Sequence, residues 1–139
     1  MKLKVKLDKG AVMPNRAHKA DAGLDLFSTE EAVVRLKESV TIDTGVHVAI
    51  PEGYVGFIKS KSGLMVKHNI LTDGTVDSGY TGAVKVTLFN HSYENFTILA
   101  GQKIAQLVLL PIITPEIELV DYLDETERGN GGFGSTGAF

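Results

Sequence analysis

The sequence lacks cysteine altogether, and it has no run of apolar residues long enough to cross a membrane. Without cysteine the chain can hold neither a disulfide framework nor a thiolate nucleophile, a composition that fits a reducing compartment. The start of the chain, residues 1–4, lacks the apolar run of a signal peptide. We therefore expect a soluble, cytoplasmic protein with no membrane partner.

Clusters of positive charge and pairs of metal ligands are missing too. The formal net charge is −3 at pH 7, whereas proteins that grip the nucleic-acid backbone use clustered Lys and Arg. No nucleophile elbow, Walker sequence or dinucleotide-binding fingerprint occurs. We expect no nucleic-acid partner, and the scattered histidines argue against a zinc site; they are His18, His47, His68 and His91.

Short strand signals dominate the sequence. The 139 residues fit one domain with a core of its own. Apolar residues recur at a period of two, and Gly, Pro, Asn and Asp interrupt them at a spacing typical of sandwiches and barrels. Such alternation occurs at residues 3–7, 46–50, 84–88 and 117–119. The sequence therefore predicts an all-β domain.

Two segments depart from this pattern. Residues 29–38 follow a capping-box pattern, Ser28 with Glu31, but also contain adjacent valines, so helix and strand are both open and we favour a strand. Residues 63–69 predict at most two turns of helix beginning just after Ser62. The Ser62 hydroxyl and the free amides at that end would attract an anion.

Residues 74–82, GTVDSGYTG, combine three glycines with one carboxylate, Asp77, and one aromatic ring, Tyr80. The glycines allow sharp turning or close approach of the backbone. One interpretation is a surface hairpin with an Asx turn at Asp77 and a packed Tyr80. The other is a site that holds a base beside a flat ligand. This segment alone leaves both open.

Residues 128–137, RGNGGFGSTG, cannot form a core strand. They are either a disordered glycine tail or a loop in which Arg128, the backbone amides and two hydroxyls cradle phosphate while Phe133 covers a base.

Three further positions carry alternatives. Asp25 lies between apolar neighbours and is either a structural carboxylate or an outer-shell ligand for a hydrated Mg²⁺ ion. Residues 61–63, KSG, offer a cation, a hydroxyl and a close-approach glycine. Gln106 lies within an apolar strand signal, where a bond to a neighbouring backbone group would satisfy it.

Five segments, taken in order, resemble the five motifs of the trimeric dUTPase family. They are residues 22–26 (AGLDL), 61–64 (KSGL), 74–82, 101–107 (GQKIAQL) and 128–137. Each motif is weak alone, but five in register across residues 20–137 are a specific signal. The resemblance implies a dUTPase-like distorted jelly-roll barrel in residues 1–127 and a flexible arm in residues 128–139. It also implies a homotrimer with shared active sites, each closed by a swapped C-terminal arm.

The same resemblance implies hydrolysis of dUTP to dUMP and pyrophosphate, which keeps uracil out of DNA and supplies dUMP for dTMP synthesis. Asp77 would be the general base for the water that attacks the α-phosphorus, and Asp25 would hold Mg²⁺ through water. Lys61, where the family usually has arginine, would join Ser62, Gly63 and Gln106 around the phosphates.

The remaining implied contacts surround the nucleoside and the γ-phosphate. Tyr80 would pack on the deoxyribose and leave no room for a 2′-hydroxyl, while Phe133 would stack on the base. Backbone groups of Gly74, Thr75, Val76 and Lys85 would read uracil. The arm would reach the γ-phosphate through Arg128, Gly134, Ser135 and Thr136.

Two alternatives differ in chemistry. The dCTP deaminases share the fold, but they have a glutamate at the position of Thr87 and lack a comparable tail. A trimeric regulatory binding protein would use the same assembly to bind a partner.

Overall fold

A computed structural model describes residues 1–139, with ten strands and one short helix. In chain order the elements are β1 (Lys4–Leu7), β2 (Gly23–Phe27), β3 (Ala32–Val34), β4 (Ser39–Ala49), β5 (Tyr54–Ser60), α1 (Ser62–His68), β6 (Ile70–Leu71), β7 (Asp73–Val76), β8 (Ala83–Asn90), β9 (Phe96–Ile98) and β10 (Lys103–Pro111).

The strands form two four-stranded antiparallel sheets that enclose the core. One sheet has the order β1-β4-β8-β6 and the other β2-β10-β5-β7, while β3 and β9 make a separate pair. A cluster of 17 buried apolar residues lies between the sheets, drawn from alternate positions of the strands. This alternation is what the period-two pattern predicted, and the all-β fold is confirmed.

Three of the four strand signals are confirmed as β1, the end of β4, and β8. The prediction of a strand at residues 117–119 is wrong, because β10 ends at Pro111 and no strand follows it. Ile117 and Leu119 are 100% and 96% exposed. Their alternation has no sheet within the chain to pack against.

The two ambiguous segments are resolved as a strand and a helix. Residues 29–38 contain β3, and the Ser28 hydroxyl donates to the carbonyl of Glu30 rather than starting a helix. Helix α1 begins at Ser62, within one residue of the prediction. Its N-cap is Lys61, and no side chain caps the helix there. Asn69 ends it in the left-handed conformation, with φ 54°. No helix in the structure has the length and hydrophobicity of a membrane span.

Residues 77–82 connect the two sheets. Strand β7 pairs with β5 in one sheet, whereas β8 pairs with β4 and β6 in the other. The surface hairpin of one interpretation is therefore a crossing loop, which we call the 77–82 loop. A loop that crosses between sheets can present its side chains to solvent at the edge of the sandwich.

Candidate functional site

A buried carboxylate lies at the centre of one group of predicted site residues. Asp25 on β2 is 3% exposed and lies opposite Gln106 on β10. The Lys61 ammonium donates to Oδ1 of Asp25 at 2.6 Å, and the Lys103 ammonium donates to Oδ2 at 2.8 Å. Two cations thus share one carboxylate, and the cluster carries net positive charge.

The two lysines keep Asp25 ionised in spite of its burial. Burial raises the pKa of the Asp25 carboxyl, but the hydrogen bonds and charges of Lys103 and Lys61 outweigh that effect, so its pKa lies below the ordinary value. The lysine side chains are 45% and 27% exposed. Their ammonium groups can therefore meet an anion from solvent while they hold the carboxylate.

Gln106 is held by the neighbouring strand. Its Nε2 donates to the carbonyl of Ser60 at 3.0 Å, and the Ser60 hydroxyl exchanges hydrogen bonds with the backbone of Thr72. The amide oxygen of Gln106 lies against Gly23, where a Cβ would collide with it. The amide NH₂ of Gln106 thus bonds to a neighbouring backbone carbonyl, as the sequence suggested. The side chain lies on the face of the sheet that carries Asp25.

Ser62 and Gly63 lie beside this cluster at the start of α1. Both are exposed, and a Cβ added at Gly63 would meet no atom within 4 Å. The backbone at this position is therefore open to close approach by a ligand.

The 77–82 loop presents a carboxylate from a fixed base. Val76 is 4% exposed and anchors the end of β7, while the next residue, Asp77, is exposed. The turn is closed by the Tyr80 N–H, which donates to the carbonyl of Asp77 at 3.2 Å, and Gly79 adopts φ 91°. A backbone turn replaces the Asx turn that one interpretation expected.

Tyr80 stands at the mouth of the same loop. Its ring is 48% exposed, and its hydroxyl donates to the carbonyl of Ala83 at 3.0 Å. A Cβ at Gly82 would collide with the ring. Glycine at position 82 is what lets the ring fold back over the loop.

The other residues predicted to read the base lie on the flanking strands. Gly74 and Thr75 are on β7, opposite Ile58 and Phe57 of β5. Lys85 is exposed on β8, opposite Asp43.

Asp25 and Asp77 are far apart within one chain. Strands β2 and β7 are the two edge strands of the sheet. Asp25 pairs across the sheet with Gln106, then Lys59, then Asp73, so Asp25 and Asp73 lie at the same level of the sheet. Three strand spacings and four further residues along the chain put the carboxylates of Asp25 and Asp77 roughly 20 Å apart. A single chain does not bring these two predicted residues around one triphosphate.

The C-terminal residues lie apart from both groups. Hydrogen bonds within residues 126–137 close successive turns, including one from Nε of Arg128 to the carbonyl of Gly131 at 2.8 Å. Gly134, Ser135 and Thr136 are exposed, and the ring of Phe133 is fully exposed. The arm's only hydrogen bond to the rest of the chain runs from the Gly129 N–H to Oγ1 of the nearby Thr126, at 3.0 Å.

Lys103 is the residue of this site that sequence reasoning missed. In a regular strand, side chains two residues apart lie on the same face, so Lys103 would share the face of Ala105, which is buried in the core. A register shift between residues 103 and 105 moves it opposite Phe27, on the face that carries Asp25. Its position within the segment GQKIAQL was the available signal.

No group of three or more His, Cys, Asp or Glu side chains is arranged to hold a metal ion. The Asp25 carboxylate accepts two lysine hydrogen bonds, which leaves two of its four lone-pair positions for waters. Because both oxygens are paired with lysines and the side chain is 4% exposed, Asp25 can meet an Mg²⁺ ion only through water, a contact that this ion commonly makes.

Comparison with known proteins gives a consistent result. A family model described as dUTPase matches residues 9–137. A deoxyuridine 5'-triphosphate nucleotidohydrolase of Gloeothece citriformis is 46% identical over 141 residues, covering 99% of this chain and 97% of that protein. The corresponding protein of Clostridium acetobutylicum is 44% identical over 135 residues, covering 95% and 93%.

Solved structures of phage proteins are similar throughout the fold. A mutant of the Staphylococcus bacteriophage 80alpha dUTPase with dUpNHpp superposes with a TM-score of 0.92 at 37% identity, covering 98% of each chain. A mutant dUTPase from phage phi11 of S. aureus, described with a structural Mg(II) ion, has a TM-score of 0.84 at 35% identity and covers 90% of this chain and 100% of that chain.

Proposed function

The chain belongs to the dUTPase family, and from that premise we propose that Asp77 is the general base of a dUTP diphosphatase whose sites are shared between subunits. The enzyme hydrolyses dUTP to dUMP and pyrophosphate. In the proposed step Asp77 takes a proton from water, the water oxygen bonds to the α-phosphorus, and the bond to the α,β-bridging oxygen breaks. The electron pair leaves with pyrophosphate.

The observation that carries this proposal is the anchoring of Asp77. The carboxylate is exposed to an incoming water, but its backbone follows directly on the buried Val76 and turns back through Gly79. A general base must keep a fixed distance to the proton that it takes. The rigid strand end provides the fixed position, and the exposed side provides access.

We propose that the complete site forms in a homotrimer. The roughly 20 Å between Asp25 and Asp77 exceeds the reach of one triphosphate, so the two residues act on the same nucleotide only if they come from different chains. The chain also exposes large apolar side chains, including Ile113 at 88%. Exposed apolar surface of this kind marks association sites.

A further surface supports association. The outer face of the second sheet has a cavity of about 460 Å³ lined by Phe57, Lys59, Asp73, Val108 and Leu110. Apolar groups on the outside of a sheet gain stability when another chain covers them.

The cluster around Asp25 is proposed to receive the phosphates. Lys61 and Lys103 would offset the negative charge of the triphosphate, Ser62 and Gly63 would offer backbone and hydroxyl donors, and Gln106 would join through its amide or an ordered water. Asp25 would hold Mg²⁺ through water, and the ion would supply neutralisation of charge on the phosphate oxygens. Lysine donates as a point charge, so Lys61 would not reproduce the two-point contact of an arginine.

The nucleoside is proposed to lie along β7 and the 77–82 loop. Tyr80 would cover the deoxyribose, and backbone groups near Gly74, Thr75, Val76 and Lys85 would pair with uracil. Cytosine would leave buried groups unpaired, and a 5-methyl group would collide with the narrow cleft. Selectivity would therefore rest on backbone atoms, which substitution leaves in place.

Residues 128–139 are proposed as an arm that closes a site on residues 1–127 of another chain. Phe133 would stack on the base, and the γ-phosphate would meet Arg128, Gly134, Ser135 and Thr136. Ordering costs about 1–2 kcal/mol per residue. Closure would therefore depend on contacts with bound triphosphate.

The deaminase alternative is not favoured. Thr87 occupies the position of the deaminase glutamate, and its hydroxyl lies 2.8 Å from the hydroxyl of Thr41. A hydroxyl in a threonine pair does not replace a carboxylate as acid and base. Ammonia release from dCTP would reverse this conclusion.

Pyrophosphate release from dUTP by wild type and by Asp77→Asn tests the proposed role. Loss of a general base costs about 10²–10⁴-fold in kcat, and we expect dUTP binding to be retained. Ser78→Ala changes the exposed neighbour in the same loop and is the matched control. Near-wild-type turnover by Asp77→Asn would remove Asp77 from this role.

A further inference from the structure

His47 connects three parts of the structure. It lies on β4, opposite Lys6 of β1 and Ala83 of β8. Its Nδ1 is 2.8 Å from the carbonyl oxygen of Thr81, inside the 77–82 loop, and its Nε2 is 3.0 Å from Oδ2 of Asp8. The imidazole therefore bridges the crossing loop to the segment after β1.

Both partners of the ring are acceptors. A backbone carbonyl cannot donate a hydrogen bond, and an ionised carboxylate cannot donate either. The hydrogen bond from His47 lowers the pKa of the Asp8 carboxyl, so Asp8 is ionised at neutral pH. Both contacts are hydrogen bonds only when both ring nitrogens carry protons, that is, when His47 is an imidazolium.

We propose that His47 is a positioning residue that ties the 77–82 loop to β4 and the β1 end when it is protonated, and so makes the use of dUTP depend on pH. This rests on the roles proposed above for Asp77 and Tyr80. Thr81 directly follows Tyr80, and a shift of its carbonyl moves the ring that would cover the sugar.

Few other contacts restrain this loop. The hydrogen bonds of Tyr80 run to Asp77 and Ala83, and both stay within the loop and its first flanking residue. His47 provides the one side-chain hydrogen bond that reaches the loop from elsewhere in the chain. The side chain of His47 is 19% exposed, so the ring is well placed but open to protons.

The sign of the effect follows from the groups around the ring. The Thr81 carbonyl and then Asp8 raise the pKa of His47, while Lys6 on β1 opposes them; β8 contributes the uncharged Ala83. A raised folded-state pKa means that the tether is complete below the ordinary value of 6.5 and is lost as pH rises through the folded-state pKa. Above it the ring has one N–H and cannot donate to both acceptors. The ionised Asp8 carboxylate is the stronger acceptor, so the ring turns a lone pair toward the Thr81 carbonyl and releases the loop.

The test combines the His47 titration, followed by NMR, with kcat/KM for dUTP from about pH 5.5 to 9. We expect kcat/KM of the wild type to fall about two- to fivefold as pH passes the NMR midpoint, the range of a partly exposed charged pair. His47→Gln should lack this step. Asp8→Asn should move the NMR midpoint and the kinetic step together to lower pH.

His91→Gln is the matched control, because His91 is exposed and its hydrogen bonds are made by its backbone. It should keep the wild-type profile. A step that persists in His47→Gln, or that stays in place when Asp8→Asn shifts the NMR midpoint, overturns the inference while the role of Asp77 stands. If the wild type releases no pyrophosphate at any pH, the proposed function fails, and the inference falls with it. Circular dichroism checks that His47→Gln is folded, and Asp8→Asn provides the independent variant.

Discussion

Asp25 and Lys61 are 36 residues apart in the chain, yet the ammonium of Lys61 lies 2.6 Å from the carboxylate of Asp25. The pairing of β2 with β10, and of β10 with β5, creates this contact. It joins two of the dUTPase-like motifs through a side chain that is 4% exposed. A stabilising ion pair and the proposed phosphate site therefore share one carboxylate.

Asp25→Asn should lower the free energy of unfolding by about 1–3 kcal/mol, because the amide NH₂ of asparagine would face one of the two lysines and leave a buried donor unpaired. Urea unfolding at fixed protein concentration, with EDTA present, measures this. Asp73→Asn is the control: its pair with Lys59 is exposed, with the Asp73 side chain 81% accessible, and should change stability by less than about 1 kcal/mol. Equal effects would contradict a structural role for Asp25.

Gly82→Ala should weaken dUTP binding about fivefold, because a Cβ at this position collides with the Tyr80 ring and displaces it, and a lost aromatic contact costs about 1 kcal/mol. Overall stability should change little, since that ring is 48% exposed. A double-mutant cycle with Tyr80→Ala identifies the cause. Once the ring is removed, the added methyl group should cost nothing further; an undiminished effect would locate the collision elsewhere.

Strand positions were predictable from the sequence because each strand buries one face. The alternation in β4 and β8 specifies which side chains meet the core, and α1 was located within one residue. Ile117 and Leu119 have the same alternation but are exposed. An alternating pattern shows that one face of a segment is apolar. It does not show whether that face packs against the same chain or against another.

The site was only partly predictable. Asp25 and Gln106 fall opposite each other, as their strand pairing requires. The contact of Lys103 with Asp25 depends on a register shift that reverses its side, and a single irregularity of this kind leaves no mark on sequence alternation. Likewise, GTVDSGYTG reads as a hairpin, because local turn residues do not reveal that the next strand joins a different sheet.

Phe133→Ala should raise KM for dUTP about ten- to a hundredfold, because stacking of an aromatic ring on a base contributes about 1–3 kcal/mol. Phe139→Ala is the matched control, since both rings are fully exposed in the same arm. The thermal unfolding temperatures of both variants should match that of the wild type, because neither ring packs against the two sheets. Equal KM values for the two variants would contradict the assignment of Phe133 to the base.

Mixing two inactive variants tests whether the sites are shared. An Asp77→Asn chain keeps its arm, and a chain ending after Glu127 keeps Asp77. In a trimer assembled from both, some sites receive Asp77 from one chain and the arm from another, and these sites are complete.

Each variant alone should release little pyrophosphate from dUTP, whereas unfolding and refolding them together should restore a fraction of wild-type activity. If Asp77 and the arm of one chain served the same site, every site would lack one or the other, and mixing would restore nothing. The separation of roughly 20 Å between Asp25 and Asp77 supports the proposed sharing for those two residues, and recovery in the mixture would extend it to Asp77 and the arm.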